Sequence, residues 1–390
     1  MLINWLKRTL NKIKKHFSKS FIKKYTFNKV SKKDKIILVY RIDLIGDYVI
    51  SKDFLRLLRA CPNFKGYKIV FLGNIALTDF IIDFDKEYID EYITFTPSLF
   101  KYSKYKNALI KIINKYNYEY VLNYMSIRNE WSEFIIANVD TGRKIGIKGL
   151  SINLSKDVKD KYDKMYNELY DVNNSYSQCG LELLNQVTGV DNGKYIHSYK
   201  FCADKLRYFE LKYKSPYAII FPSASTPNKR MPFKKFLELS NYLHDKYKLK
   251  IYICGNKADK EIFKDFNIDR TYITDLCGVL KLSELPYLFK NAKIVLTNDT
   301  CAMWIANCTN TKSIVFSNVH NFDIKGLKRV NFGSENFYEY YCGENIRYIL
   351  PEPAYEQILN NGTCESNIPL DYVNIKNAKY NIDKSIAIEN

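Results

Sequence analysis

Residues 292–306 read AKIVLTNDTCAMWIA and have the form of a buried strand running straight into the first turn of a helix. Ile294, Val295 and Leu296 make a short apolar run, and Asn298, Asp299 and Thr300 then supply capping side chains ahead of a helix over 301–307. In an open α/β sheet, ligands sit at such a junction because the helix N-terminus offers unpaired backbone N–H groups and a partial positive charge. The stretch reads as a grip for a nucleotide diphosphate. An ordinary capped helix after a strand would look the same, so the neighbouring segments must choose between the two.

The same alternation extends on both sides. Ahead of 292–306 come a strand at 217–221, a helix at 233–246, a strand at 250–254, a helix at 258–266, a strand at 271–274 and a helix at 283–291; a strand at 313–316 follows. The first half reads likewise, with strands at 36–40, 68–72, 92–95, 120–123 and 143–147 among helices at 48–60, 104–113 and 130–138. A polar zone at 151–175 reads as a loop or lid, a helix near 181–187 follows, and a glycine-containing break at 190–193 marks the change of domain. We therefore expect an α/β protein of two doubly wound domains, 35–200 and 201–390, behind a leading segment 1–34. A last helix-like piece at 370–378 could pack back across the boundary.

With 390 residues, 46% hydrophobic and 26% charged, the chain can bury two cores. The nine cysteines form no C-x-x-C pair and read as reduced thiols of a cytoplasmic protein. The four histidines have no zinc-ligand spacing, so no metal site is expected. The net charge of +18 is concentrated at the start: residues 1–35 hold twelve Lys or Arg against one acid, Asp34. Within that segment Ile3, Leu6, Leu10, Ile13, Phe17 and Phe21 recur at steps of three or four, which gives a helix with one apolar face and a cationic remainder. Such a helix suits an anionic membrane interface, the inner leaflet for a cytoplasmic protein; a helix docked on its own domain fits the pattern as well. A basic arm also admits a nucleic-acid binder, but no nucleic-acid module accompanies it.

No G-x-G-x-x-G or G-x-x-x-x-G-K-[ST] occurs, which disfavours nicotinamide dehydrogenases and P-loop enzymes. Asp83 and Asp85 form a D-x-D pair, but with Asp79, Glu87, Asp90 and Glu91 nearby a solvated acidic face is expected in place of a metal site. Two further strand ends carry chemistry. In 41–52, RIDLIGDYVISK, Gly46 permits a tight turn and Asp47 either caps the next helix or offers a carboxylate as general base. In 221–232, FPSASTPNKRMP, Ser223, Ser225 and Thr226 can donate to phosphate oxygens and Lys229 can neutralise them.

The order of these pieces resembles the heptosyltransferase family of lipopolysaccharide core synthesis, glycosyltransferase family 9. The matching residues are Arg41 with Gly46 and Asp47, Pro222 with Ala224 and Ser225, Lys229 and Arg230 with Pro232, and Gly255 with Asp259. Leu276 with Gly278, Leu282 with Glu284 and Leu285, and Asn298, Asp299 and Thr300 with Met303 complete the series. The resemblance runs over about 36–318 and implies a GT-B-like fold, two Rossmann-like domains facing a central cleft. It implies inverting transfer of a sugar, heptose among the candidates, from a nucleotide-diphosphate donor such as ADP-heptose to a lipid-linked or other cell-envelope saccharide, with no cofactor and no metal. By position, Asp47 would be the base, Ser225 and Lys229 would hold the diphosphate, Asp259 the ribose, and Asp299 with Thr300 the sugar or phosphate. The chain departs from the family pattern at Cys301, where a glycine is common, and at Trp304, where a histidine is. Those departures leave room for a sugar-nucleotide-binding relative that does not turn over.

Overall fold

The computed structural model describes residues 22–387, except 126, 141, 152–153, 173–177, 197, 215, 319–326, 333–334, 342–344 and 363–367. The expected membrane-facing helix, with its apolar positions from Ile3 to Phe21, lies outside the described residues. The chain divides into two compact units at 196/197.

The first unit is built on a seven-stranded sheet of order β1-β4-β3-β2-β5-β7-β9. Its strands are β1 (Lys24–Thr26), β2 (Ile36–Arg41), β3 (Lys68–Asn74), β4 (Glu91–Phe95), β5 (Tyr120–Asn123), β7 (Arg143–Ile147) and β9 (Glu168–Tyr170), while β6 (Ile127–Arg128) and β8 (Leu150–Ser151) form a separate pair. All neighbours in the large sheet are parallel except β1 and β4. β2 is buried along its whole length, as its unbroken IILVYR run requires of a strand covered on both faces. Helices α1 (Ile45–Ser51), α2 (Asp53–Ala60), α3 (Ser103–Ile113), α4 (Glu130–Asn138), α5 (Lys156–Asp163) and α6 (Cys179–Thr188) supply the cover. β3 and β4 lie to one side of β2 and β5 to the other, so the strand order reverses between β2 and β5.

Three expectations are corrected here. β1 falls inside the leading basic segment: Lys24 pairs with the buried Glu91 at 2.8 Å, so the end of that segment belongs to the sheet. The zone at 151–175 holds α5 and β9 where a loop or lid was expected, and Asp163 of α5 pairs with the fully buried Arg128. No residue of α5 is buried, so its sequence carries no apolar rhythm to announce a helix. The acids at 79–91 form a solvated face only in part: Asp79 and Glu87 are exposed and Asp83 is half-buried, but Asp85, Asp90 and Glu91 are buried. Asp85 is buried and accepts from Tyr48 Oη at 2.7 Å, with Lys52 Nζ 3.9 Å away, and Asp90 is buried against Arg59 and Lys68. Just before the division of the chain, Arg56 of α2 donates to the Lys194 carbonyl at 2.8 Å and Asp53 accepts from the Ile196 amide.

The second unit carries an eight-stranded sheet of order β12-β11-β10-β13-β14-β17-β16-β15. The strands are β10 (Tyr217–Phe221), β11 (Lys250–Ile253), β12 (Ile273–Asp275), β13 (Ile294–Asn298), β14 (Ser313–Phe316), β15 (Leu327–Phe332), β16 (Glu335–Tyr341) and β17 (Ile346–Ile349). β12 through β17 pair in parallel along that order, and β16 and β15 continue it antiparallel. The helices are α7 (Ala203–Lys212), α8 (Phe233–Tyr247), α9 (Leu285–Lys290), α10 (Cys301–Cys308), α11 (Glu352–Asn361) and α12 (Ile375–Ala387). The expected helix at 258–266 is instead a 3-10 turn over Lys257–Ile262. The last helix starts later than expected and packs within this unit: Ala378 and Ile382 enter its core with Phe236 and Leu239 of α8, and Asp383 accepts from Tyr242 and Tyr247. Strand order reverses between β10 and β13, whose ends pair Phe221 with Thr297.

Candidate functional site

In the second unit the reversal places two loops side by side at the carboxyl end of the sheet, 222–232 after β10 and 298–300 after β13. They are joined by Asn298, which is fully buried. Its amide nitrogen donates to the Pro222 carbonyl at 2.7 Å, and its Oδ1 accepts from the Met231 amide at 3.0 Å. Arg230 folds back to donate twice to the Ala224 carbonyl, at 2.8 and 3.1 Å. Both loop ends are thus pinned by Asn298 of the neighbouring strand and the middle is drawn in by Arg230, which leaves Ser225 and Thr226 at the exposed crest. Lys229 follows, half-buried, with its Nζ 4.0 Å from Asp299 Oδ2.

Thr300 is the N-cap of α10. Its backbone is extended, and its Oγ1 accepts from the Ala302 amide at 3.2 Å and lies 3.2 Å from Thr297 Oγ1. The helix therefore presents its first turn beside Lys229 and the serine-threonine crest, two sources of positive potential in one place. Cys301 adds no charge there, because its surroundings push the thiol up to about 12. Trp304 is partly buried and packs against the apolar cluster that includes Met303, Val315 and Tyr355.

Asp259 is buried. Its Oδ1 accepts from Ser223 Oγ at 2.7 Å and its Oδ2 from the Asn256 amide at 2.7 Å, so it ties the end of β11 to the end of β10. A Cβ on Gly255 would sit 2.6 Å from that Oδ2, which is why no side chain fits at 255. Sequence reading assigned Asp259 to a ligand and overlooked it as a brace. Asn298 was read only as part of a cap; a polar residue closing an apolar strand is the signal that marks it as a loop-holder.

Asp47 belongs to the first unit, at the third position of α1, after β2. Its Oδ2 accepts from the Leu44 amide at 3.1 Å, so the capping role is real and takes one face of the carboxylate. Ahead of it Arg41 is fully buried, donates to the Tyr124 carbonyl at 3.1 Å and stands 3.2 Å from Asp43. The structure thus gathers Ser225, Lys229, Asp299 and Thr300 around adjacent loops, links Asp259 to them through Ser223, and holds Asp47 at the corresponding strand end of the first unit. Among the described residues, no group of three His, Cys, Asp or Glu is placed to hold a metal ion.

The sequence signature of Glycosyltransferase family 9 (heptosyltransferase) matches residues 107–328, more than half of the chain. The chain belongs to glycosyltransferase family 9. The match covers every residue of the second-unit loops and begins after Asp47. This family 9 glycosyltransferase is similar in fold to the family 9 glycosyl transferase from Veillonella parvula DSM 2008, at 15% identity, with 92% of this chain and 99% of that one covered and a TM-score of 0.66. It is similar also to E. coli heptosyltransferase WaaC with ADP-2-deoxy-2-fluoro heptose, at 14% identity, 90% and 99% coverage and a TM-score of 0.63. The E. coli ADP-heptose lps heptosyltransferase II aligns at 15% identity, 91% and 99% coverage and a TM-score of 0.55. The fold is GT-B, an α/β architecture with parallel sheets. By sequence, no curated protein matches the chain.

Proposed function

We propose that this family 9 glycosyltransferase moves a sugar, with inversion, from a nucleotide-diphosphate donor to a cell-envelope saccharide or glycolipid. The observation that carries the reading is the cradle of Lys229, the Ser225–Thr226 crest and the Thr300-capped first turn of α10, which suits a diphosphate. ADP-heptose is the donor to try first, since a fold relative is described with an ADP-heptose analogue. Asp299 would face the sugar or phosphate, and Asp259 would hold the ribose or, through Ser223, the loop that meets it.

In the chemical step the acceptor hydroxyl attacks the anomeric carbon and gives its proton to Asp47. The bond from that carbon to the diphosphate oxygen breaks, and the electron pair leaves with the nucleotide diphosphate. Lys229 and the α10 amides stabilise the charge that develops on the leaving group, so the reading calls for no metal and no cofactor. The basic leading segment would hold the protein at the anionic inner face of the cytoplasmic membrane, near a lipid-linked acceptor. Cys301 and Trp304 favour a second reading, a relative that binds the donor without transfer.

Calorimetry with ADP-heptose, ADP and UDP, paired with an assay for nucleotide release in a membrane glycolipid extract, separates these readings. Tight donor binding with turnover supports the enzyme, binding without turnover supports the second reading, and no binding of any of the three overturns both. Asp47→Asn is expected to abolish transfer and leave ADP affinity within about twofold, because the carboxylate serves the acceptor and not the nucleotide. Turnover equal to the parent would remove Asp47 from the role of base.

A further inference from the structure

The parallel strands of the first unit's sheet end on one edge, and three features share it. β2 ends at the loop that carries Asp47, where Leu44 is 57% exposed. β4 ends ahead of a turn, Pro97–Leu99, after which Lys101, Tyr102, Ser103 and Lys104 all stand exposed around the start of α3. β1 runs antiparallel to β4, so its first residues meet the last residues of β4: the Lys23 amide donates to Thr94 Oγ1 at 2.7 Å, and the Thr94 amide donates to the Lys23 carbonyl at 2.9 Å. Just ahead of Lys23, Ile22 is buried in the same core as Phe95 and Phe100. Residues 1–21, six of them Lys or Arg and none acidic, therefore join the fold beside the Lys101–Lys104 turn.

The chemistry of the turn matches that of the leading segment. Residues 96–118 hold five lysines and no acid. Lys106 is spent on Glu130, 3.5 Å away, and on the faces of Phe100 and Phe134. Lys23, Lys101 and Lys104 form no ion pair among the described residues, and Lys101 lies over the Tyr102 ring, 5.3 Å from its centre. Besides Asp43 and Asp47, the acids next along this edge are Asp79 after β3 and the already matched Glu130 after β5. A half-exposed tyrosine among unmatched lysines suits the boundary of a lipid layer, where the ring enters partway and the cations meet anionic phosphates.

We propose that this edge of the first unit is a docking surface for an anionic lipid layer, with Lys23, Lys101 and Lys104 meeting headgroup phosphates and Tyr102 and Leu44 entering the interface. The inference extends the membrane hold proposed above for the leading segment and rests on that reading. One weak attachment gives reversible binding, and a second beside it raises retention without a new partner. Because the Asp47 loop shares the edge, docking there sets that loop on the side of the layer that would carry a lipid-linked acceptor.

The test is sedimentation of the full chain with vesicles of phosphatidylcholine and phosphatidylglycerol, which carry no saccharide. Lys101→Gln combined with Lys104→Gln is expected to lower the partition coefficient roughly 10- to 30-fold, the worth of two cations at the surface. Tyr102→Ser is expected to lower it as well, and to do so on phosphatidylcholine alone. Lys111→Gln combined with Lys115→Gln removes the same charge from the far end of α3, about 15 Å away. That pair is expected to change partitioning by less than about twofold, because charges beyond a Debye length are screened. Equal loss from the two pairs would mean that net charge alone draws the chain to the vesicle, and no loss from the Lys101–Lys104 pair would mean that the edge stays in water; either result overturns the proposal. Slower transfer in the Lys101–Lys104 variant with vesicle binding unchanged would give the edge to the acceptor saccharide, and overturns it too. If changing Lys7, Arg8, Lys12 and Lys14 to Gln in the full chain leaves partitioning unchanged while the Lys101–Lys104 pair lowers it, the role of the leading segment fails and the edge stands.

Discussion

Lys229 bears most of the donor-binding reading. Its pairing with Asp299 at 4.0 Å is loose and partly exposed, so little is lost when a phosphate replaces the carboxylate as its partner. Lys229→Ala is expected to weaken ADP binding roughly 10-fold or more, the worth of one charge-assisted hydrogen bond; calorimetric affinity equal to the parent would take Lys229 out of the site. Asn298 answers to stability. Asn298→Ala leaves the Pro222 carbonyl and the Met231 amide without their partner, and a cost of about 1–3 kcal/mol is expected in urea unfolding. A change within experimental error would mean the loop re-pairs by itself. The contrast between these side chains shows what a sequence discloses. Lys229 and Thr300 are legible because charge and capping are local properties, whereas the bracing by Asn298 and Asp259 depends on carbonyls and hydroxyls many residues away.

The helix at Cys301–Cys308 has only eight residues and cannot stand on intrinsic propensity. Its cap and its packing hold it, so Thr300→Ala is expected to cost about 1 kcal/mol in denaturant unfolding and to weaken ADP binding at the same time. Loss of affinity with stability unchanged would mean that the hydroxyl touches the ligand and does not shape the turn. Buried parallel strands were the most legible elements. β5, β7, β10 and β14 have the bounds expected of them, and β10, YAIIF, is apolar and buried throughout, as a strand covered on both faces must be. Elements that bury little were not legible. α5 hides no side chain, and the Lys257–Ile262 turn is set by Asp259 reaching back to Asn256. Asp85 and Asp90 misled for a related reason, since their partners Tyr48, Arg59 and Lys68 arrive from other elements.

Charge is distributed very unevenly along the chain, with six Lys or Arg and no acid in residues 1–21. Because β1 at Lys24–Thr26 is part of the first sheet, a deletion that tests this segment has to stop at residue 21. Removing residues 1–21 is expected to lower partitioning onto phosphatidylglycerol vesicles, by on the order of 1 kcal/mol for each cation that reaches the surface. Sedimentation with vesicles reads this directly, and unchanged partitioning overturns the membrane reading. Among the described residues no helix is long and apolar enough to cross a membrane.

The contacts of Arg56 with Lys194 and of Asp53 with Ile196 bear on how force travels through the protein. They fasten the chain, at the point where it leaves the first unit, to α2, the helix that directly follows the one bearing Asp47. Displacing residues 194–196 has first to break those two contacts, one helix on from Asp47.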